Sequence, residues 1–121
     1  MGRLPMRKWQ RHARAEIRNT IARYTWCGDF GDADGFVACF TEDAVVKDEG
    51  RTHHGRAGIR KWKADVSAKF QYATEPLACE QTDGRCVVTC KITGNFPGSP
   101  VVLRFFFGLE GDKIASLEII P

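Results

Sequence analysis

The sequence lacks the motifs of several large enzyme classes. It has no G-x-x-x-x-G-K-[ST] phosphate loop, no G-x-G-x-x-G between a strand and a helix, and no G-x-S-x-G turn around a nucleophilic serine. It has no apolar run long enough to cross a membrane, and no apolar segment with a small-residue cleavage site follows the basic N-terminal residues. We therefore expect a cytoplasmic protein without a membrane span.

The spacing of the cysteines matches neither a disulfide framework nor a metal site. The five cysteines are an odd number, they form no C-x-x-C pair, and no histidine lies beside them at ligand spacing. The spacing of two places Cys86, Val88, Cys90 and Ile92 on one face of a strand. We interpret the cysteines as reduced residues that fill the core, and we expect no metal and no cofactor.

Positive charge is concentrated at one end of the chain. The formal net charge is +3, and residues 1–23 carry seven Lys and Arg against one acid, so the remainder is slightly negative. This pattern fits an arm that binds nucleic acid or the solvated face of an amphipathic helix. The solvated face is favoured because no recognition motif accompanies the charge, and we expect no nucleic-acid partner.

Helical periodicity dominates the first half of the sequence. The first predicted helix starts near Pro5 and ends near Gly28, with apolar residues at spacings of three and four: Met6, Trp9, Ala13, Ile17, Ile21 and Tyr24. A short second helix has Asp32 as its predicted N-cap. A third helix, residues 56–70, follows the polar segment 49–55, which we predict to be a loop. Its predicted solvated face comprises Arg60, Lys61, Lys63 and Lys69.

The predicted strands follow a period of two. Residues 44–48 form the first strand, and turn signals divide the chain after Gln71 into four strands of an antiparallel meander. Helices followed by consecutive strands predict an α+β fold in one domain spanning residues 1–121. In the strand at 101–109, the face carrying Val102, Arg104 and Phe106 remains partly apolar, which is typical of a subunit contact.

Asp48 shares one face of the first strand with Val46. A carboxylate on an apolar face is either turned to solvent at the strand end, where Arg51 or Arg56 can pair with it, or held in a pocket. The three acids Asp29, Asp32 and Asp34 resemble a metal cluster, but capping and the helix dipole also account for acids at a helix start.

The order of these elements resembles the SnoaL-like branch of the nuclear transport factor 2-like superfamily. The resemblance rests on an A-R-Y helix, G-D-x-D-x-F-x-x-x-F at a helix start, F-x-x-D-A before a strand, and a closing I-x-x-L-E-I strand, in that order. It implies a cone-shaped, curved antiparallel sheet wrapped around three helices, a cystatin-like roll. The superfamily includes isomerases, dehydratases and polyketide cyclases as well as non-catalytic binding proteins.

The resemblance also implies functional residues. In related ketosteroid isomerases a tyrosine on the first helix donates a hydrogen bond to the substrate, and an aspartate on the first strand moves a proton; these positions correspond to Tyr24 and Asp48. The second acid of that site corresponds to a position near Phe105, where this sequence has no acid. Related dehydratases use a histidine, for which His53 or His54 is available here. Trp62 and Phe105 are predicted to line the pocket.

Two functions remain open from the sequence. One is a protein that binds a small hydrophobic molecule and is a cofactor-independent acid/base enzyme of isomerase, cyclase or dehydratase type. The other is a non-catalytic ligand-binding or oligomerisation module. In both cases we expect a homodimer through the outer sheet face, with Val102 and Phe106 buried and Arg104 bound to an acid or carbonyl of the partner.

Overall fold

A computed structural model describes residues 15–82 and 84–121, with three helices and six strands. In chain order they are α1 (Ala15–Asp29), α2 (Ala33–Ala38), β1 (Phe40–Asp48), β2 (Arg51–His54), α3 (Gly55–Lys69), β3 (Tyr72–Thr82), β4 (Arg85–Gly94), β5 (Val101–Glu110) and β6 (Lys113–Ile120). The predicted α+β class is confirmed. None of the helices in this part of the chain has the length and apolar character of a membrane span.

The six strands form one sheet in the order β2-β1-β6-β5-β4-β3. The predicted meander is confirmed for β3 to β6, because each of these strands pairs antiparallel with the next one along the chain. One pair departs from the predicted antiparallel sheet, since β1 lies parallel to β6. The parallel pair places the C-terminal ends of β1 and β6, and therefore Asp48 and Ile119, side by side.

The inner side of α1 packs against the sheet as its periodicity predicts. Ile17, Ile21 and Tyr24 are buried, whereas the earlier positions of the predicted stripe, and Pro5, lie outside the described residues. The helix extends one residue past Gly28, and the chain turns at Gly31, which has a φ of 74°. Asp32 then caps α2 as predicted, because its Oδ1 accepts a hydrogen bond from Gly35 N at 2.9 Å.

The segment predicted as a loop after Asp48 contains a strand. β2 pairs antiparallel with β1 through a two-residue turn, Glu49 and Gly50, and both turn residues have positive φ. Such turns favour Asn or Asp followed by Gly, so the glutamate conceals the hairpin in the sequence. β2 lies at the sheet edge, where three of its four side chains are exposed, so it shows no apolar alternation.

The predicted extent of α3 is confirmed, but its predicted solvated face is wrong for one residue. Ile59 and Trp62 are buried as expected, and Arg60, Lys61 and Lys69 are exposed. Lys63, which we predicted to be solvated, is 5% exposed. It follows Ile59 by four residues and precedes Val66 by three, so it belongs to the buried stripe of the helix.

The inner face of β4 is confirmed, because Cys86, Val88, Cys90 and Ile92 are all buried. All five cysteines are free thiols. Cys79, on β3, is only half-buried, and its Sγ lies 2.6 Å from Cys86 Sγ. This contact lowers the pKa of the Cys79 thiol, whereas the pKa of Cys86 is raised by the contact and by burial.

We predict that Cys79 is the first cysteine to be alkylated in the folded protein. The thiolate is the reactive form, and burial raises the pKa of Cys27, Cys39 and Cys90. Iodoacetamide at neutral pH, followed by peptide mass spectrometry, should modify Cys79 about tenfold faster than any other cysteine. The Cys79→Ser variant should lose the fast phase. Faster modification of another cysteine in the native protein would contradict the prediction.

Candidate functional site

Asp48 points to the interior of the fold. It is the last residue of β1, on the same face as the buried Ala44 and Val46, and its Oδ2 accepts a hydrogen bond from Trp62 Nε1 at 3.1 Å. Among the described residues no ion pair joins it to an arginine, and Arg56 instead donates to Phe40 O at 2.7 Å. The strand-end ion pair considered from the sequence is therefore absent.

Burial raises the pKa of the Asp48 carboxyl above its usual value. The hydrogen bond from Trp62 acts in the opposite direction because it stabilises the carboxylate. Glu49, the next residue, also raises the pKa by repulsion between like charges. The backbone of Glu49 also donates a hydrogen bond to the carboxylate, and the charge of His53 lowers its pKa, but burial outweighs these effects. The raised pKa makes Asp48 a stronger base than a solvated aspartate.

Of the two histidines after β1, His53 lies beside this carboxylate. Its ring stacks on Trp62 with the centroids 5.8 Å apart and the planes 30° apart, and its side chain is half-buried. His54 is exposed and makes no side-chain cap at the start of α3. Asp48, Trp62 and His53 therefore form one group at the junction of β1, β2 and α3.

Tyr24 and Phe105 belong to a second group, deeper in the core. The Tyr24 ring is surrounded by phenylalanines, with centroids at 5.1 Å from Phe36, 5.3 Å from Phe107, 6.1 Å from Phe40 and 6.2 Å from Phe105. Burial raises the pKa of its hydroxyl well above the usual value, so the phenol stays protonated and remains a donor. Within the described chain no hydrogen bond occupies this hydroxyl.

Phe36 connects the two groups. Its ring centroid lies 5.1 Å from that of Tyr24 and 6.0 Å from that of Trp62. The electrostatic influence of Asp48 contributes to the raised pKa of Tyr24, so the carboxylate and the phenol share one interior region. The structure thus places the predicted residues in two adjacent groups rather than in direct contact.

A third polar group, missed by the sequence reasoning, lies in the same interior. Lys63 Nζ donates a hydrogen bond to Tyr72 Oη, and it lies 4.5 Å from the Tyr72 ring centroid and 5.4 Å from that of Phe36. Burial lowers the pKa of Lys63, and Asp29 opposes this shift. Burial raises the pKa of Tyr72 to about 12. Lys63 is therefore a buried amine bound to a neutral phenol.

Asp29 completes this third group. Its Oδ2 accepts a hydrogen bond from Thr74 N at 2.9 Å, which ties the end of α1 to β3. Its Oδ1 is buried and has no hydrogen-bond partner. Burial raises the pKa of Asp29, and the hydrogen bonds from Thr74 and the charge of Lys63 oppose the shift. Asp29 is the last residue of α1, and the N-cap of α2 is Asp32, as predicted.

The three acids considered as a metal cluster have separate partners. Asp29 binds Thr74 N, Asp32 caps α2, and Asp34 forms an ion pair of 2.7 Å with Arg60. Residues 15–82 and 84–121 contain no group of three or more His, Cys, Asp or Glu side chains able to hold a metal ion. Two concavities lie away from the interior groups, one beside Arg23 and Asp112 and one on the outer sheet face beside Phe106.

Solved structures share this architecture. A candidate polyketide cyclase from Sinorhizobium meliloti is 32% identical, with a TM-score of 0.79 over 88% of this chain and 99% of that one. A protein with a ketosteroid isomerase-like fold from Catenulispora acidiphila, in complex with trimethylamine, is 16% identical, with a TM-score of 0.74 over 84% of each chain. A cystatin-fold protein from Novosphingobium aromaticivorans is 22% identical, with a TM-score of 0.72 over 90% of this chain and 100% of that one.

The similarities below 25% identity establish the fold, which is the predicted cystatin-like and nuclear transport factor 2-like roll. A search of curated proteins finds no match. The family description "SnoaL-like domain" matches residues 9–91, which include Tyr24, Asp48 and Lys63. On this match, and on the 32% identity to the Sinorhizobium protein, the chain belongs to the SnoaL-like domain family.

Proposed function

We propose that the chain is a single SnoaL-like domain, located in the cytoplasm, that binds a small hydrophobic molecule between its helices and its sheet and transfers a proton on it without a cofactor. Asp48 is the proposed base, because it combines an inward position, a neutral hydrogen-bond donor in Trp62 and a pKa raised by burial. This environment is the observation that carries the proposal. Isomerase, cyclase and dehydratase chemistry all need such a step.

Tyr24 is the proposed hydrogen-bond donor. Its phenol is protonated, lies among aromatic rings and has an unoccupied hydroxyl among the described residues, so it can stabilise negative charge on a substrate oxygen. The aromatic side chains of Trp62 and Phe105 would form apolar walls, and His53 would lie at the entrance beside Trp62. The similarity to a candidate polyketide cyclase supports a substrate with a carbonyl oxygen.

The site departs from the ketosteroid isomerase pattern at its second acid. Phe105 is buried near the corresponding position, and residues 84–109 contain no Asp or Glu. A neutral carboxyl donor to the substrate oxygen is therefore missing from β4 and from β5 up to Leu109. This departure argues against steroid isomerisation and favours a reaction that a single base and a phenol can support.

The second candidate function is a non-catalytic binding or oligomerisation module. It is favoured by the packing around Tyr24, where four phenylalanine rings occupy the interior, and by the outer face of β5, where Val102 is 53% exposed. A filled interior would leave Asp48 as a structural acceptor for Trp62. Catalysis of proton transfer by Asp48 separates the two functions.

Replacing Asp48 by Asn should abolish proton abstraction from a hydrophobic carbon acid. We suggest 5-nitrobenzisoxazole as the probe: the base removes a proton from carbon, the N–O bond breaks, and the coloured phenolate is measured by absorbance. We expect kcat/KM to fall about 100-fold, because a positioned base contributes this much or more. Asp43→Asn, an exposed acid on the same strand, is the matched control. Equal turnover by the wild type and Asp48→Asn would favour the non-catalytic module.

Replacing Trp62 should change the pKa of Asp48. Carbon-13 NMR of the carboxyl should give a pKa above that of a solvated aspartate, and Trp62→Phe should raise it further, because the lost hydrogen bond stabilised the carboxylate. The base is the ionised form, so turnover should fall as the pH falls through this pKa, and the fall should begin at a higher pH in the variant. A lower pKa in Trp62→Phe would contradict the assigned geometry.

We further propose that two copies pair through the outer sheet face, as the sequence analysis suggests. Within one chain Arg104 already donates to Pro121 O at 3.1 Å, and its guanidinium and that of Arg85 lie 5.7 Å and 5.0 Å from the Phe106 ring. The interface would therefore contain Val102, Phe106 and the two arginines beside the Phe106 ring, so it would not be purely apolar.

Phe106→Glu should convert the dimer into a monomer. A carboxylate at the centre of the interface would be desolvated on pairing, which opposes association. Sedimentation velocity at micromolar concentration measures the mass of both proteins, and Lys61→Glu, an exposed change on α3 away from the sheet face, serves as a charge control. A monomeric wild type, or a dimer that persists in Phe106→Glu, would show that this face does not form the interface.

A further inference from the structure

The group formed by Asp29, Lys63 and Tyr72 has unused hydrogen-bonding capacity. A protonated amine carries three donors, and the only hydrogen bond of Lys63 Nζ to a described residue goes to Tyr72 Oη. Asp29 Oδ1 is buried and accepts no hydrogen bond from residues 15–82 or 84–121. Buried polar atoms are normally satisfied, so unused donors beside an unused acceptor indicate a site for another group.

The two unused groups are neighbours without being partners. Asp29 raises the pKa of Lys63, and Lys63 lowers that of Asp29, so each is in the other's electrostatic field. No ion pair or hydrogen bond joins them directly in the described chain. A β-carbon at Gly28, the residue before Asp29, would lie 3.6 Å from Lys63 Nζ, so the amine lies next to the end of α1.

The chemistry of the pair selects ligand groups that both accept and donate a hydrogen bond, of which a hydroxyl is the smallest. A bridging group must accept a hydrogen bond from Lys63 and donate one to Asp29. A carbonyl oxygen only accepts, a protonated amine only donates, and a methyl group does neither, whereas a hydroxyl does both. The rings of Phe36 and Tyr72 beside the amine provide an apolar surface for the carbon skeleton that carries the hydroxyl.

We propose that Asp29 and Lys63 form a polar subsite that binds a hydroxyl group of an otherwise hydrophobic ligand, such as a phenol or an enol. The proposal rests on small-molecule binding in the interior but not on catalysis by Asp48. In this arrangement the hydroxyl end of the ligand lies toward Asp29 and Lys63, and the reacting end lies near Asp48 and Tyr24. Lys63 and Asp29 are therefore specificity-determining residues.

The experiment compares 4-methylphenol with 1,4-dimethylbenzene, which differ by exchange of a hydroxyl for a methyl group. Hydrophobic transfer alone favours dimethylbenzene. We expect the wild type to bind the phenol about tenfold more tightly in proton–nitrogen NMR titrations, with shifts at the Thr74 amide. Lys63→Met should reverse this preference, whereas Lys61→Met, an exposed change on the same helix, should leave it unchanged.

A second variant, Asp29→Asn, tests the proposal if Lys63→Met does not fold. In Asp29→Asn the amide oxygen can still accept from Thr74 N, so that the amide nitrogen takes the place of Oδ1 and no longer accepts the ligand hydroxyl. Its preference for the phenol should fall several-fold, and thermal unfolding reports whether each variant is folded.

Equal binding of the two probes by the wild type, or an unchanged preference in both folded variants, would overturn the hydroxyl subsite while leaving small-molecule binding intact. Failure of both probes to bind would overturn the subsite together with the proposal of an interior ligand. Loss of turnover in Asp48→Asn bears only on catalysis, so the failure of one proposal is distinguishable from the failure of the other.

Discussion

Desolvation of charge is the constraint on which this interior depends. Between the helices and the sheet the amine of Lys63 is buried and the carboxylates of Asp29 and Asp48 are half-buried, and burial shifts each pKa in the direction that favours the neutral form. A fold selected for stability alone would place apolar side chains at these positions. The retention of three ionisable groups therefore favours a role in recognition or chemistry.

Each of these groups is held by a residue of another element: Asp48 by α3, and both Asp29 and Lys63 by β3. Trp62 on α3 orients Asp48 on β1, the backbone of β3 orients Asp29 at the end of α1, and Tyr72 at the start of β3 receives Lys63. Because these hydrogen bonds connect helices to strands, the positions of the polar groups depend on the docking of α1 and α3 against the sheet. The ring of Phe36 packs against Tyr24 and Trp62 and also lies 5.4 Å from Lys63 Nζ.

Periodicity predicted most of the fold but not the whole polar interior. The inward direction of Asp48 follows from its alternation with Val46, and the inner face of β4 follows from the same rule. Lys63 was assigned to the wrong face because its charge was given more weight than its spacing from Ile59 and Val66. The spacing was the correct signal, since a lysine within an apolar stripe can be buried when a partner such as Tyr72 is available.

Other features depended on contacts distant in sequence. The partner of Asp29 is Thr74, on a strand in the second half of the chain, and no local pattern connects the two. The parallel alignment of β1 with β6 is likewise a product of the completed sheet. The hairpin between β1 and β2 was hidden by a glutamate at a turn position with positive φ, where the conformation is imposed by the pairing on both sides.

The parallel pairing of β1 with β6 has a consequence for the order of folding. β3 to β6 can pair successively through short turns, whereas the pairing of β1 with β6 joins segments that α3 and four strands separate in the chain. Closing that long segment of chain costs entropy before its contacts are made, so this step belongs late on the folding pathway. Until then the end of β1 cannot take up its final position, and Asp48 is assembled into the interior only as the last long-range contact of the sheet closes.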